Sequence, residues 1–230
     1  MIDDATIGQF LIYYPIFLFS LTLHEYGHAV TAKWAGDLTA AYENRVNLNP
    51  LNHIEFVGTI LIPCLMFLGA GGFMFGWARP VPVNENQFKD KNWNVVVTLA
   101  GPFMNFLIMI FAGFALGLFS AVYYYGIPLE WWAYNESFYT LFIDFCRQVI
   151  FLNALLILFN LLPIPPLDGS HIFYHFFIRG RGQYYQAWDN YTRFGLIVLL
   201  IAIQVLPIGQ IIMPITYFWL KLTQPFLFLG

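Results

Sequence analysis

"LFSLTLHEYGHAV", residues 18–30, sets His24, Glu25 and His28 inside a run otherwise made for lipid. Ionisable groups within a membrane segment are expensive and tend to serve function. The apolar run extends over residues 7–34. At about 1.5 Å per residue the path from Ile7 to Lys33 covers roughly 39 Å, enough for the hydrocarbon core and one interface. Lys33 and Trp34 mark its exit. Ahead of it stand Asp3 and Asp4 and no lysine or arginine, so the run reads as a retained span rather than a secretory signal. The rest of the chain agrees: of its 230 residues, 59% are hydrophobic, 20% aromatic and only 10% charged, against about 25% charged in a soluble domain. A net charge of −3 with no basic run argues against a nucleic-acid partner. Cys64 and Cys146 lack CxxC spacing and read as small apolar residues.

Past Trp34 the chain turns polar, then apolar again over 56–68, a piece too short to span comfortably that ends in "GAGG", residues 69–72. In "GWARPVPVN", residues 76–84, Pro80 and Pro82 rule out helix, and their alternation with Val81 and Val83 predicts an extended strand that keeps its donors on one edge. Extended backbone at membrane depth needs protein or water beside it. Residues 56–92 are therefore read as a re-entrant element. Further apolar blocks cover 93–124, 138–162 and 194–219; the last contains "VLPIGQIIMP" and is either one kinked helix or two. The expected fold is an all-α polytopic membrane protein with five or six transmembrane helices and a re-entrant extended or β element. It forms one domain over residues 1–230, with its core in 7–180 and C-terminal helices in 190–230.

Charge orients this arrangement. The loop at 125–137 holds Glu130 and Glu136 and no basic residue, whereas Lys33, Arg45, Arg79, Lys89, Lys91, Arg179, Arg181 and Arg193 lie in or beside the other loops. The positive-inside rule places those loops in the cytoplasm, provided that 56–92 dips in and returns on one side. The end of the first helix and the segment after Leu162 then share the cytoplasmic face.

"HEYGH", residues 24–28, is an HExxH pattern. On a helix His24 and His28 are one turn apart and about 40° apart in azimuth, so both imidazoles reach one ion. Glu25 sits near that face, placed to take a proton from water as a general base without being a ligand. A catalytic zinc takes three protein ligands and keeps one position open. The second concentration of polar residues in an apolar setting is "FNLLPIPPLDGSHIFYH", residues 159–175, where Asp168 is the candidate third ligand. The prolines at 163, 165 and 166 break the helix, and Gly169 is expected to let the backbone turn so that Asp168 projects at membrane depth. His171 and His175 are rival ligands read as interfacial, and His53 as a loop residue.

HEYGH in the first membrane helix, "AGPFMN" at 100–105 and "NLLPIPPLDG" at 160–169 resemble the site-2 protease family of intramembrane zinc metalloproteases. "LNPLNHIEFVGTILIP" and "GWARPVPVN" are similar to its compact prokaryotic branch, which lacks a PDZ domain; here Asn84 is followed by Glu85 where that branch often has proline. The resemblance implies one zinc ion per chain held by His24, His28 and Asp168, with Glu25 as general base and Asn160 steadying the oxyanion. It also implies that Gly101, Pro102 and Asn105 lie near the substrate path, and that the strand over Pro80, Val81, Pro82 and Val83 holds the substrate extended. The partners so implied are a transmembrane protein substrate and the lipid bilayer. The location is a prokaryotic cell membrane, with the active site nearer the cytoplasmic face.

Two other classes would also place histidine and aspartate at membrane depth. A metal transporter needs a path to both faces, yet the outer loop offers Glu130 and Glu136 and no histidine. A non-catalytic scaffold would tolerate any change at Glu25. The substrate, the activating signal and the oligomeric state are not legible in the residues.

Overall fold

In the computed structural model, which describes residues 4–69, 74, 76–125, 129–205 and 207–223, every regular element is helical. The long α1 (Asp4–Ala35) leads into the short α2 (Thr39–Tyr42) and α3 (Ile62–Gly69), followed by the long α4 (Trp93–Tyr125) and α5 (Leu129–Asn160). The chain continues through α6 (Asp168–Phe173), α7 (Tyr185–Arg193), α8 (Gly195–Val205) and α9 (Ile208–Thr223). Three stretches, Thr6–Ala35, Trp93–Val122 and Ser137–Asn160, are long and apolar enough to cross a bilayer, as an integral membrane protein requires. The 11 residues of α8 and 16 of α9 give rises of only about 16 and 24 Å, short of a core of roughly 30 Å. The C-terminal block is thus two helices rather than one kinked helix, with Pro207 between them.

Small residues bring α1 against α4. A Cβ on Gly27 would stand 2.7 Å from the Ala100 carbonyl oxygen, and Ala29, Ala32 and Ala35 are fully buried. Lipid supplies no hydrophobic drive between helices, so close backbone approach supplies the dispersion contact instead. Larger apolar residues join α4 to α5, where Met109, Leu116, Cys146 and Ile150 are buried together. Phe17 and Leu21 of α1 belong to a second cluster that takes in Leu152 and Leu156 of α5. Asp144 and Arg147 on α5 approach to 3.5 Å as their spacing suggests, both well exposed. The loop expected at 125–137 is mostly the start of α5; residues 126–128 and the side chains of Glu130 and Glu136 lie outside the described set.

The excursion after α2 closes on its own beginning. Glu55 caps the π-helical turn Phe56–Leu61, accepting from Val57 N and Gly58 N, and that turn runs into α3. On the return, Trp77 N–H donates to Gly58 O (3.0 Å), Arg79 N–H donates to His53 O (2.9 Å), and Thr59 Oγ1 donates to Trp77 O (2.9 Å). Of "GAGG", residues 70–72 lie outside the described set.

Residues 76–84 do not form the predicted strand, and no strand occurs among the described residues. Pro80 and Pro82 remove two donors, and the amides of Trp77, Arg79, Val81 and Asn84 bond to loops and side chains rather than to a second strand. Arg45 Nη2 donates to Arg79 O (2.6 Å), Val81 N–H to Glu25 Oε2 (2.9 Å) and Asn84 N–H to Asp37 Oδ2 (2.6 Å). Asp37 is fully buried and also accepts from Thr39 N (2.9 Å) and Thr39 Oγ1 (2.5 Å). Hydrogen bonds to a buried carboxylate are worth about 1.5–3 kcal/mol each. Asp37→Ala is therefore expected to lower the unfolding temperature in detergent and to make residues 79–89 sensitive to protease. An unchanged unfolding temperature would show that Asp37 does not anchor this segment.

Candidate metal centre

Two histidines one helical turn apart in α1 and an aspartate at the first residue of α6 meet below the surface. His24 Nε2 is 3.2 Å from Asp168 Oδ2, His28 Nε2 is 3.4 Å from Asp168 Oδ1, and the two Nε2 atoms are 3.1 Å apart. Both histidines are buried, and the Asp168 side chain is 17% exposed. Among the described residues no other group of three histidine, cysteine or acidic side chains converges in this way. Cys64 and Cys146 are free thiols outside it.

The second nitrogen of each ring decides what the cluster can bind. His28 Nδ1–H donates to the Val97 carbonyl (2.8 Å) and His24 Nδ1–H to Asn105 Oδ1 (2.6 Å). In the neutral rings both Nε2 atoms are then lone-pair acceptors, facing each other and a carboxylate whose Oδ2 has no hydrogen-bond partner. Three acceptors with no donor between them call for a cation. Ligands at about 2.1 Å from a tetrahedral ion stand roughly 3.4 Å apart, close to the separations seen here. The donor set thus fits zinc.

On the side of α4 the backbone approaches the cluster closely. A Cβ on Gly101 would lie within 2.6 Å of His24 Nε2 and press on His28 Nε2. Since both rings are held at Nδ1, they have little freedom to yield. Gly101→Ala is expected to drop bound zinc well below one per chain while leaving helix content by circular dichroism unchanged. Full zinc occupancy in that variant would refute the cradle. At Gly169 a Cβ would run into the Leu161 and Leu162 carbonyls. Close approach of α6 to the end of α5, rather than a left-handed turn, explains the glycine.

A cavity of about 560 Å³ adjoins the cluster, lined by His24, Glu25, His28, Asp168, Asn160 and Val81 among others. Glu25 is half-buried; one of its oxygens is fixed by the Val81 amide, which leaves the other for water. The Val81 N–H expected to be free for a substrate is therefore spent on Glu25, because the segment lies directly against α1. Val83 is 40% exposed and, like Pro80, lines the cavity. Pro82 is half-buried beside them. Asn160 faces the cavity while donating one Nδ2 hydrogen to Leu156 O (3.0 Å).

Asn105, read as lying near the substrate path, touches His24 rather than the cavity. It is fully buried behind His24, away from the cavity wall. His171 is exposed at the cavity rim, His175 contacts Arg179, and His53 is buried against Asn47 O; none joins the cluster. Val97 drew no reading and Gly101 only one near the substrate path, since the carbonyl that holds His28 and the cradle both depend on where α4 crosses α1.

The model for peptidase family M50 matches residues 126–202, the part that carries Asn160 and Asp168. Over 213 residues the chain is 38% identical to YwhC of Bacillus subtilis, a predicted zinc metalloprotease, with 88% of each chain covered. It is 30% identical over 164 residues to Rip2 of Mycolicibacterium smegmatis, also a predicted zinc metalloprotease, covering 71% of this chain and 56% of that one. Rip2 of Mycobacterium tuberculosis gives 30% over 166 residues, with 72% and 57% covered, so this chain spans little more than half the length of the Rip2 proteins. No solved structure matches significantly. Identity of this extent across nearly all of YwhC, together with a cluster shaped for a divalent cation, leads to one conclusion: the chain belongs to peptidase family M50, the site-2 protease family.

Proposed function

We propose that the chain is an intramembrane zinc metalloprotease in which His24, His28 and Asp168 hold one zinc ion and Glu25 is the general base. Its substrates are membrane proteins, cut within or next to a transmembrane segment. The observation that carries the proposal is the convergence of three acceptor atoms within 4.8 Å of one another, two of them on a helix apolar enough to span a membrane. When bound, zinc supplies Lewis acidity that makes water nucleophilic near neutral pH.

This chain's residues supply the rest. Glu25 takes the proton as water attacks the peptide carbonyl, and it returns a proton to the leaving amine as the C–N bond breaks. Its orientation is set by the Val81 amide. Asn160 keeps one amide hydrogen for the oxyanion that develops. A substrate helix hides its carbonyls in internal hydrogen bonds, so it must unwind before cleavage. Pro80, Val81 and Val83 line the cavity, and the Val83 N–H has no acceptor among the described residues, so this edge is the proposed seat for the unwound segment.

The same reading treats residues 1–230 as one domain with 56–92 re-entrant. It is supported by the bonds that tie Trp77 and Arg79 back to Gly58 and His53. The site is placed nearer the cytoplasmic face of a bacterial membrane, on the asymmetry of basic residues between loops. Comparing the membrane proteomes of cells that carry the wild type or Glu25→Gln tests the proposal. Fragments with new termini inside spans are expected only with the wild type; identical fragment sets would refute proteolysis.

A further inference from the structure

Behind His24, away from the cavity, lies a chain of polar groups at the centre of the three long helices. Asn105 of α4 accepts from His24 Nδ1 (2.6 Å), and its Nδ2 donates to Asn153 Oδ1 (2.8 Å) and toward Ser20 O (3.4 Å). Asn153 of α5 in turn donates from Nδ2 to Val149 O (2.8 Å) and Ser20 Oγ (3.0 Å). Ser20, Asn105 and Asn153 are each 0% exposed. Two amides buried between membrane-spanning helices are costly unless fully bonded. Here they are bonded, and they end on an imidazole of the metal cluster.

The order of donors and acceptors runs one way. The Val149 carbonyl only accepts, so the Asn153 group facing it must be the NH₂. Asn153 then turns its oxygen to Asn105, and Asn105 must answer with its own NH₂. That leaves the Asn105 oxygen facing His24, so Nδ1 carries the hydrogen and Nε2 points its lone pair at the ion site. A backbone carbonyl of α5 thus selects the tautomer of a side chain on α1 through two amides. Partners of this kind orient a ligating ring and raise its basicity.

From this we infer that Asn153, with Ser20, is a positioning residue for zinc, acting through Asn105 on His24. The inference rests on His24 being a ligand, and the test separates the two. Zinc affinity is measured by chelator competition, and the Co²⁺-substituted protein gives a d–d spectrum that reports ligand geometry. In Asn153→Leu the Asn105 amide loses its fixed direction; zinc is expected to bind about 10–100-fold more weakly, with an altered cobalt spectrum. Adding Asn105→Asp to that variant presents acceptor oxygens to His24 whichever way the group turns. It is expected to restore affinity to within about threefold of Asn105→Asp alone, inside the range that such partners span.

A role in packing alone would lower thermal stability in Asn153→Leu but leave zinc affinity and cobalt spectrum at wild-type values, and that result overturns the proposal. Absence of rescue by Asn105→Asp overturns it as well. Should Asn153→Leu fail to fold, Ser20→Ala carries the same measurements, with a smaller loss of affinity expected and wild-type affinity contradicting. If His24→Ala binds zinc as tightly as the wild type, the ligand assignment has failed. If His24→Ala loses zinc and the Asn153 and Ser20 variants do not, only the positioning role has failed.

Discussion

Glu25→Gln is expected to lower peptide hydrolysis by about 10²–10⁴-fold, the usual contribution of a positioned acid–base group, with bound zinc still near one per chain. Glu25 is not one of the three converging side chains, so its charge is not needed to hold the ion. Glutamine also keeps an oxygen for the Val81 amide, the contact that orients this side chain. The substitution therefore removes the proton acceptor and little else. Purified protein in detergent or liposomes, assayed for cleavage of a membrane-spanning substrate and for zinc by plasma emission, reads both quantities. A fully active variant would end the general-base assignment, and loss of zinc with loss of activity would make Glu25 a ligand or its support.

Asp168→Ala attacks the other half of the account. The two histidines come from a single helical turn, and among the described residues only Asp168 joins them from elsewhere in the chain. Two imidazoles bind zinc far more weakly than a three-ligand site. Affinity should therefore fall by more than the roughly 100-fold that loss of a supporting partner costs, and activity with it. The neutral Asp168→Asn has the same shape and should fail in the same direction, because the three-ligand set then lacks its formal negative charge. Unchanged zinc in Asp168→Ala would transfer the ligand role to His171, one turn further along α6 and exposed at the cavity rim.

The metal cluster was legible in the residues because its logic is local. An i, i+4 pair of histidines in a long apolar run faces one side of a helix whatever surrounds it. The prolines before Asp168 likewise announce a helix end, and α5 stops at Asn160 with α6 beginning at Asp168. What supports the cluster depends on helix crossing, which no local pattern carries. The Val97 carbonyl that fixes His28 and the backbone at Gly101 are meaningful only once α4 lies against α1. Asn153 did leave a signal, an amide within the apolar run of α5, but the same signal fits a polar group satisfied by its own backbone. For 76–84 the prolines excluded helix, and none forms there, but the strand read from their alternation needs a neighbouring strand, where α1 offers Glu25 instead. Hydropathy could not separate a span from a shorter apolar helix at the C-terminus, where Pro207 divides the block into α8 and α9.

Anomalous diffraction from crystals of the zinc-loaded wild type, recorded on both sides of the zinc absorption edge, tests the central claim most directly. The account predicts one peak per chain, within about 2.0–2.2 Å of His24 Nε2, His28 Nε2 and one Asp168 oxygen. A peak at any other place, or one at the histidines with Asp168 turned away from it, would contradict it.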